Sequence, residues 1–365
     1  SSIELMRSYA AGEVEIFRRV RIPKSLPFLF SALKVASVLA MIGAVVGEYF
    51  GGTQEALGVQ IRNSAALFDV SPLYKYHVRG RDATRLLNRV VTRNVAKCQP
   101  CQVMYTPWCD PRGKVIDDGT LHRFGEDNYR LTSADPNMRW LHQNARGMQV
   151  EIEDASERVA SLSLQGPLSR TILERAIGRD LGSLKYFRLT NATIADVPVV
   201  VSRTGYTGDL GYEVWMDAAS ALPVWDALMV HGKPYGITPA GMLALDIARI
   251  EAGLILLDVD YVSARKALIP GQLSSPFELA LGWTVSIDKQ PFNGKQALAR
   301  EAANGPSWSL VGLEVDLRQL EGRPLDPVAR LVLERPVDVP DLDRHAERAQ
   351  LVLVALEHLL EGVGP

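Results

Sequence analysis

The residues best suited to chemistry in this chain are acidic and aromatic, and they fall in two short runs. One is the turn and strand Asp110-Pro-Arg-Gly-Lys-Val-Ile-Asp117-Asp118; the other is the turn-rich Arg203-Thr-Gly-Tyr-Thr-Gly-Asp-Leu-Gly-Tyr-Glu213. Successive side chains on a strand face opposite sides, so Asp117 and Asp118 cannot both line one cavity. One is a cavity carboxylate and the other meets solvent or backbone donors, and the residue types leave the choice open. In the second run Tyr212, Val214 and Met216 share one strand face, while Gly211, Glu213 and Trp215 share the other. Glutamate beside tryptophan suggests a lined groove. A buried carboxylate is costly unless it accepts hydrogen bonds, and a pterin- or guanine-like ring with two adjacent N–H groups supplies them. The alternative is a plainly exposed Glu213.

Other chemistries find less support. Cys98, Cys101 and Cys109 leave an odd thiol, which argues against a disulfide framework and for a reducing, cytoplasmic compartment. Cys98-x-x-Cys101 has neither a second cysteine pair nor a nearby histidine pair to complete a tetrahedral zinc site, so no metal is expected. Gly205-x-x-Gly208-x-x-Gly211 has the wrong spacing for a dinucleotide loop, and no glycine-rich loop ends in Lys-Ser or Lys-Thr. With 40 Lys and Arg against 42 Asp and Glu in 365 residues, the net charge of −2 argues against a protein devoted to nucleic acid.

The elements that must position these residues read as α+β. Helices are expected over Ala83–Val91, Pro136–Asn144, from Gly166-Pro167 to Ile177, over Ala221–Val230 with an apolar stripe of Leu222, Trp225, Leu228 and Met229, and over Pro239–Gly253. Strands are expected over Gln102–Tyr105 and Lys114–Asp118 around the Pro-Arg-Gly turn, and over Asn128–Ser133, Val159–Leu164, Val197–Ser202 and Gly211–Met216.

Eight motifs lie in order along this middle stretch: Phe68-Asp-Val-Ser71, Met104-Tyr105, Arg112-Gly-Lys-Val-Ile-Asp-Asp118, Leu164-Gln-Gly-Pro167, Ser202-Arg-Thr-Gly-Tyr-Thr-Gly208, Gly211-Tyr-Glu213, Arg249-Ile-Glu-Ala252 and Gly294-Lys-Gln-Ala-Leu298. Together they resemble the glycine cleavage T-protein (aminomethyltransferase) family, which includes folate-dependent demethylases. The resemblance implies an aminomethyltransferase folate-binding fold of antiparallel sheets with packed helices. It also implies a tetrahydrofolate site at the centre of a three-lobed chain, where a one-carbon group passes from an amine donor to folate nitrogen N5. By position, Asp118 matches the family's catalytic aspartate and Glu213 its pterin-binding carboxylate. Tyr105 and Tyr186 match aromatics lining the folate cavity, and Leu73 sits where T-proteins carry a methionine near the pterin. The implied donor is a small molecule or a lipoyl protein.

The departures bear on that donor. Pro72-Leu73-Tyr74-Lys75-Tyr76 stands where T-proteins have His-Met, and the family's ligand-contacting arginine falls at Leu245, so a charge-assisted contact is lost unless another residue such as Arg203 replaces it. The family's Gly-Trp-Glu region and C-terminal barrel signature are also missing from the two ends.

Those ends have a different vocabulary, dividing the chain into residues 1–66, 67–316 and 317–365. Leu26–Val46 carries a single charge, Lys34, over 21 residues, long enough to cross a bilayer. The preceding Arg18, Arg19, Arg21 and Lys24 would hold its N-terminal side in the cytoplasm, giving inner-membrane association. A buried helix of a soluble domain is the alternative. Gly12-Glu-Val-Glu-Ile-Phe-Arg-Arg-Val-Arg-Ile-Pro-Lys-Ser-Leu-Pro27, with Ser31-Ala-Leu-Lys34 and Ala44-Val-Val-Gly-Glu48, resembles a fragment of an ABC importer permease. Residues 317–365 contain no Ser, Thr, Asn, Lys, Ile, Met, Cys or aromatic residue and read as an unassigned tail, with a helix expected over Arg344–Leu360.

Overall fold

A computed structural model of the chain describes residues 64–311. The permease-like stretch, the apolar segment 26–46 and the tail 317–365 lie outside the described residues. Among the described residues no helix is long and apolar enough to cross a membrane.

Among the described residues eleven strands form two sheets: β1 (Ala66–Asp69), β2 (Tyr74–Arg79), β3 (Gln102–Cys109), β4 (Val115–Gly125), β5 (Asn128–Ser133), β6 (Glu151–Asp154), β7 (Val159–Gln165), β8 (Leu189–Ile194), β9 (Val197–Ser202), β10 (Gly211–Asp217) and β11 (Thr238–Pro239). Six helices accompany them: α1 (Ala83–Val90), α2 (Met138–Asn144), α3 (Ser169–Ile177), α4 (Ala221–Gly232), α5 (Met242–Glu251) and α6 (Lys295–Asn304). The six-stranded sheet runs β11-β1-β7-β10-β9-β8 and the five-stranded sheet β3-β4-β5-β2-β6. The pairings are antiparallel except β1 with β11. Ser64 and Ala65 are already part of this fold, since the Leu168 and Thr238 amides donate to their carbonyls at 2.9 and 3.1 Å.

Each sheet turns its apolar face outward, onto helices. On the six-stranded sheet Leu162, Leu164, Val201, Tyr212, Val214 and Met216 bury against Ile172 and Leu173 of α3 and Val224 and Leu228 of α4. On the five-stranded sheet Tyr76, Val78, Leu121, Tyr129 and Leu131 bury against α1 and α2 through Leu86, Leu87, Val90 and Leu141. Period-2 alternation then forces the intervening side chains onto the opposite faces. These are Lys75, His122, Arg130 and Thr132 from one sheet and Ser161, Ser163, Gln165, Glu213 and Trp215 from the other. All but the half-exposed Glu213 are buried. The two polar faces meet: the His122 ring lies edge-on to Trp215 at 5.1 Å, and the Arg130 guanidinium sits 4.1 Å over the same indole.

Most expected elements are present with shifted ends. Strand β3 continues past Tyr105 through Pro107, tolerated because β3 is an edge strand and Pro107 has no N–H to offer a further neighbour. The α4 stripe is corrected: Val224, Leu228 and Gly232 are the buried positions, Trp225 and Met229 flank them, and Leu222 is 67% exposed because the helix is turned with its 224–228–232 row inward. Helix α5 starts at Met242, after Pro239 has been taken into β11. Strands β1, β2, β6, β8 and β11 and helix α6 lie outside the elements the periodicity predicts.

Three motifs prove to be one packing unit. The Gln165 side chain fills the space where Gly205 and Gly211 would carry a Cβ, at 2.0 and 1.9 Å from its Oε1. Its Nε2 donates to Ser163 Oγ at 2.9 Å, and its Oε1 accepts from Thr207 Oγ1 at 3.1 Å. Gly205 and Gly211 are therefore sterically required. Farther along, fully buried Arg249 binds Asp246, Asp260 and the Leu254 carbonyl, tying α5 to the irregular segment that follows.

The acidic pair separates as alternation requires. Asp117 is fully buried and accepts from the Asp118 and Asp135 amides at 2.8 and 3.0 Å and from Asn137 Nδ2 at 2.8 Å, pinning the β5–α2 connection. Burial, then the adjacent Asp118 charge, push its carboxyl up to about 7 from an ordinary 3.8.

Two outcomes are expected. Gly211→Ala should destabilise the fold by about 1–3 kcal/mol through the clash with Gln165, lowering the melting temperature by roughly 2–4 °C per kcal/mol, and Gln165→Ser in the same chain should restore part of the loss. An unchanged melting temperature would refute the slot. For Asp117, the folded chain holds a proton between about pH 4 and 7 that the unfolded chain has released. Its stabilising contribution is therefore complete below pH 4 and lost as pH rises to 7. The stability of the wild type relative to Asp117→Asn should fall by about 4 kcal/mol across that window. A flat difference in denaturant titrations at pH 4–7 would contradict it.

Candidate active site between the two sheets

Asp118 is the carboxylate of the pair on the inner face of β4, where it meets tyrosine hydroxyls. It accepts from the Tyr105 hydroxyl at 2.9 Å and from the Tyr261 hydroxyl. Gly119 holds it in place: a Cβ there would lie 2.0 Å from the Thr132 carbonyl, so only glycine lets β4 pass this close to β5. Burial raises the Asp118 pKa, and the Tyr261 and Tyr105 hydroxyls oppose that rise. The phenols respond in the other direction. Burial first and the Asp118 charge second raise the pKa values of Tyr105, Tyr206 and Tyr261, so the carboxylate sits among three protonated hydroxyls. The Tyr105 ring stacks on Trp283 at 6.1 Å, and Arg93 lies 5.3 Å over that indole.

Glu213 belongs to the opposite sheet. Its Oε2 accepts from Thr204 Oγ1 at 2.6 Å, Thr204 shares a 2.8 Å bond with Ser202 Oγ, and Trp215 Nε1 donates to Ser202 at 3.2 Å. This relay orients the carboxylate from one side. Burial raises its pKa, while the Thr204 hydrogen bond and then the Arg130 charge lower it. Asp118, Thr120 and His122 fall on one face of β4, so that strand runs from Asp118 to the edge of Trp215, two residues from Glu213.

The remaining expected residues fall around this layer. Tyr186 lies in the connection from α3 to β8, is 64% exposed and packs edge-on against Phe187 at 4.5 Å. Burial and then the Glu213 charge raise its phenol pKa, which places it on the Glu213 side at the margin of the site. Leu73 is half-buried in the β1–β2 turn, and its carbonyl accepts from Lys75 Nζ at 2.8 Å. Leu245 is buried with Ala66, Phe68, Val70 and Ala244 in an apolar cluster. Arg203 donates to the Leu184 carbonyl at 3.0 Å and lowers the Tyr186 pKa, so it too sits on the Glu213 side.

Sequence patterns do not single out Tyr261, Trp283, Arg130 or His122. Tyr261 and Trp283 come from the irregular segment between α5 and α6, which has no periodicity to read. Arg130 and His122 look like ordinary outward residues of amphipathic strands. Cys98 and Cys109 are buried and Cys101 is exposed, and burial pushes the Cys98 thiol up to about 11. Among the described residues no three His, Cys, Asp or Glu side chains gather as a metal-holding group.

With this geometry in view, comparison with known proteins is specific. Residues 51–289 match the GCVT N-terminal domain family, and residues 1–74 match the binding-protein-dependent transport system inner membrane component family. An aminomethyltransferase of Halothermothrix orenii is 38% identical over 261 residues, covering 70% of this chain and 70% of that protein. A trimethylamine-oxide aldolase of Ruegeria pomeroyi is 37% identical over 268 residues, covering 70% of this chain and 33% of that protein. The crystal structure of glycine cleavage system aminomethyltransferase T from Bartonella henselae matches with a TM-score of 0.60 and 25% identity, over 72% of this chain and 67% of that one. These matches, over most of the described fold, identify its group: the chain belongs to the GCVT aminomethyltransferase family, whose members are tetrahydrofolate-dependent transferases.

Proposed function

We propose that the region from about Ser64 to Asp316 transfers a one-carbon unit, aminomethyl or methyl, from an amine donor to N5 of tetrahydrofolate. The observation that carries this reading is Asp118, a half-buried carboxylate clasped by Tyr105 and Tyr261 at one end of a polar inter-sheet layer whose other sheet presents Glu213. The side chains suit the cofactor. Glu213 has Oε2 engaged by Thr204 and accepting capacity to spare, the donor-seeking chemistry that a pterin's adjacent N–H groups meet. Tyr186 at the margin and Leu73 in the β1–β2 turn complete the assigned folate-binding set with Tyr105. When bound, tetrahydrofolate supplies the secondary amine that accepts the one-carbon unit.

Asp118 does the proton work. Burial raises its pKa and two hydroxyl donors oppose that rise, which leaves a carboxyl group that can take up a proton and return it to the departing amine. Tyr105 and Tyr261 stay protonated and keep that carboxylate oriented, Tyr206 donates to the Ile255 carbonyl beside them, and the three rings exclude water and so strengthen its electrostatic contacts.

The donor reading favours a small amine over a lipoyl protein. Leu245 offers no charge where the family carries its ligand-contacting arginine, and it lies in an apolar cluster. The relatives include a trimethylamine-oxide aldolase beside the aminomethyltransferases. Residues 1–66 are assigned as a permease-like fragment, supported by the transport-component match over 1–74, and 317–365 as a separate tail.

Titration with tetrahydrofolate, followed by tryptophan fluorescence, tests the site, because Trp215 lies beside Glu213. Glu213→Gln should weaken binding by roughly 10- to 100-fold, the loss of charge-assisted hydrogen bonds. Asp118→Asn should bind with nearly unchanged affinity and lower single-turnover transfer by about 10²- to 10⁴-fold. Undiminished transfer by Asp118→Asn would remove it from the catalytic role, and equal binding by Glu213→Gln would remove that carboxylate from the folate site.

A further inference from the structure

Arg130 is the group in the inter-sheet layer with the least explanation inside the protein. It sits on β5, cross-strand from His122 of β4 and His77 of β2, and it is 4% exposed. Its guanidinium lies 4.1 Å over the Trp215 ring and 5.2 Å over Phe124, which fixes its plane but satisfies none of its N–H donors. Nε and Nη2 are buried and have no hydrogen-bond partner. The flanking imidazoles do not compensate it. Burial and then Arg79 lower the His77 pKa to about 4, and burial and then Arg130 itself lower that of His122, so both rings are neutral.

One carboxylate answers this cation. Burial lowers the Arg130 pKa to about 9 against the opposing Glu213 charge, and burial raises the Glu213 pKa against Thr204 and Arg130, yet no ion pair joins them, since Glu213 is oriented by Thr204 and Arg130 by Trp215. Guanidinium donors left buried without acceptors are unfavourable, because the water they gave up is not replaced. An uncompensated buried cation beside a half-exposed, half-satisfied acid points to a ligand that accepts from one and donates to the other. A 2-amino-4-oxo pyrimidine ring carries that pattern along one edge. The 2-amino N–H and the N3–H are adjacent donors, and the next atom is the 4-oxo oxygen, an acceptor. An acid alone reads the two donors, whereas an acid with a neighbouring arginine reads all three positions.

We propose that Arg130 donates from Nε or Nη2 to the 4-oxo oxygen of the pterin ring whose N–H pair Glu213 accepts, making it a specificity-determining residue. This rests on the folate reading of the site. It deepens that reading by naming what distinguishes an accepted ring from a rejected one. Trp215 is then a positioning residue, holding the guanidinium by stacking and tied to the Glu213 side through Ser202.

The test is equilibrium binding of tetrahydrofolate and its 4-thioxo counterpart, which keeps both N–H donors but presents sulfur, a weak acceptor. The full chain should bind the 4-oxo ring about tenfold more tightly than the 4-thioxo ring, the worth of one charge-assisted hydrogen bond. Arg130→Met, which keeps the contact over Trp215 but has no donor, should bind both rings within about threefold of each other, with the loss falling on the 4-oxo ring. Arg130→Lys keeps a buried cation and is measured in parallel, so a Met variant that fails to fold does not end the test; its 4-oxo preference should also shrink. If both folded variants keep the wild-type preference, Arg130 is a stacking residue and the proposal falls, while the folate reading stands. If the wild type binds neither ring, the folate reading falls and this proposal with it.

Discussion

The structure depends on burying polar faces against each other. Both sheets have one apolar and one polar face, and the apolar faces are taken up by α1 and α2 on one side and α3 and α4 on the other. The polar faces have nowhere to go but the interior. Each fully buried leucine or isoleucine in the outer clusters contributes about 1.5–3 kcal/mol, and each buried polar group left without a partner costs about 1–3 kcal/mol. The two quantities are comparable, so the inner layer must be largely self-satisfied. It is: Gln165 bonds Ser163 and Thr207, Thr132 bonds Thr120, and Lys75 finds three carbonyls. The exceptions, such as Arg130 and His122, cluster against one indole.

The same layer explains the electrostatics at Asp118. A carboxylate withdrawn from water is pushed toward the protonated form, and hydrogen bonds to the charged form push it back. Here the opposing donors come from distant parts of the chain, one from the edge strand β3 and one from the irregular segment after α5. The site is complete only when the segment from Leu254 to Phe292 has folded over β4. That segment is held there by the Ser274 carbonyl accepting from the Val115 amide, by Ser263 Oγ donating to the Ile116 carbonyl, and by Lys114 with Glu278.

How much of this was legible in the sequence follows from the range of the interactions. The alternation Gly211–Met216 correctly divides β10, because a strand's period is set by its own backbone. The same rule correctly separates Asp117 from Asp118, but which faces the cavity depends on Asn137 and Asp135 on one side and Tyr261 on the other, and no spacing encodes those partners. The glycines of Ser202–Gly208 and Gly211–Glu213 are visible as motifs. Their reason, a glutamine amide lodged between Gly205 and Gly211, appears only in three dimensions. Helix α4 shows the converse failure: Leu222 fits an apolar stripe by spacing, and packing selects the neighbouring row. Strand β2 alternates as clearly as β10, but its first half is crowded by tyrosine and lysine, and Lys75 is buried only because the β1–β2 and β6–β7 connections offer carbonyl acceptors.

Strand β1 has four residues and two neighbours, β7 on one side and β11 on the other. It is the first element of the described fold, and the chain reaches it directly from the preceding residues. A pull along β1 on whatever precedes Ser64 would load its hydrogen bonds to both neighbours in shear, all at once, instead of peeling them one by one as at a free edge. The transferase fold is thus mechanically well moored at the point where the upstream segment joins it, and tension there would be transmitted to β7, the strand that carries Ser161 and Ser163 into the polar layer.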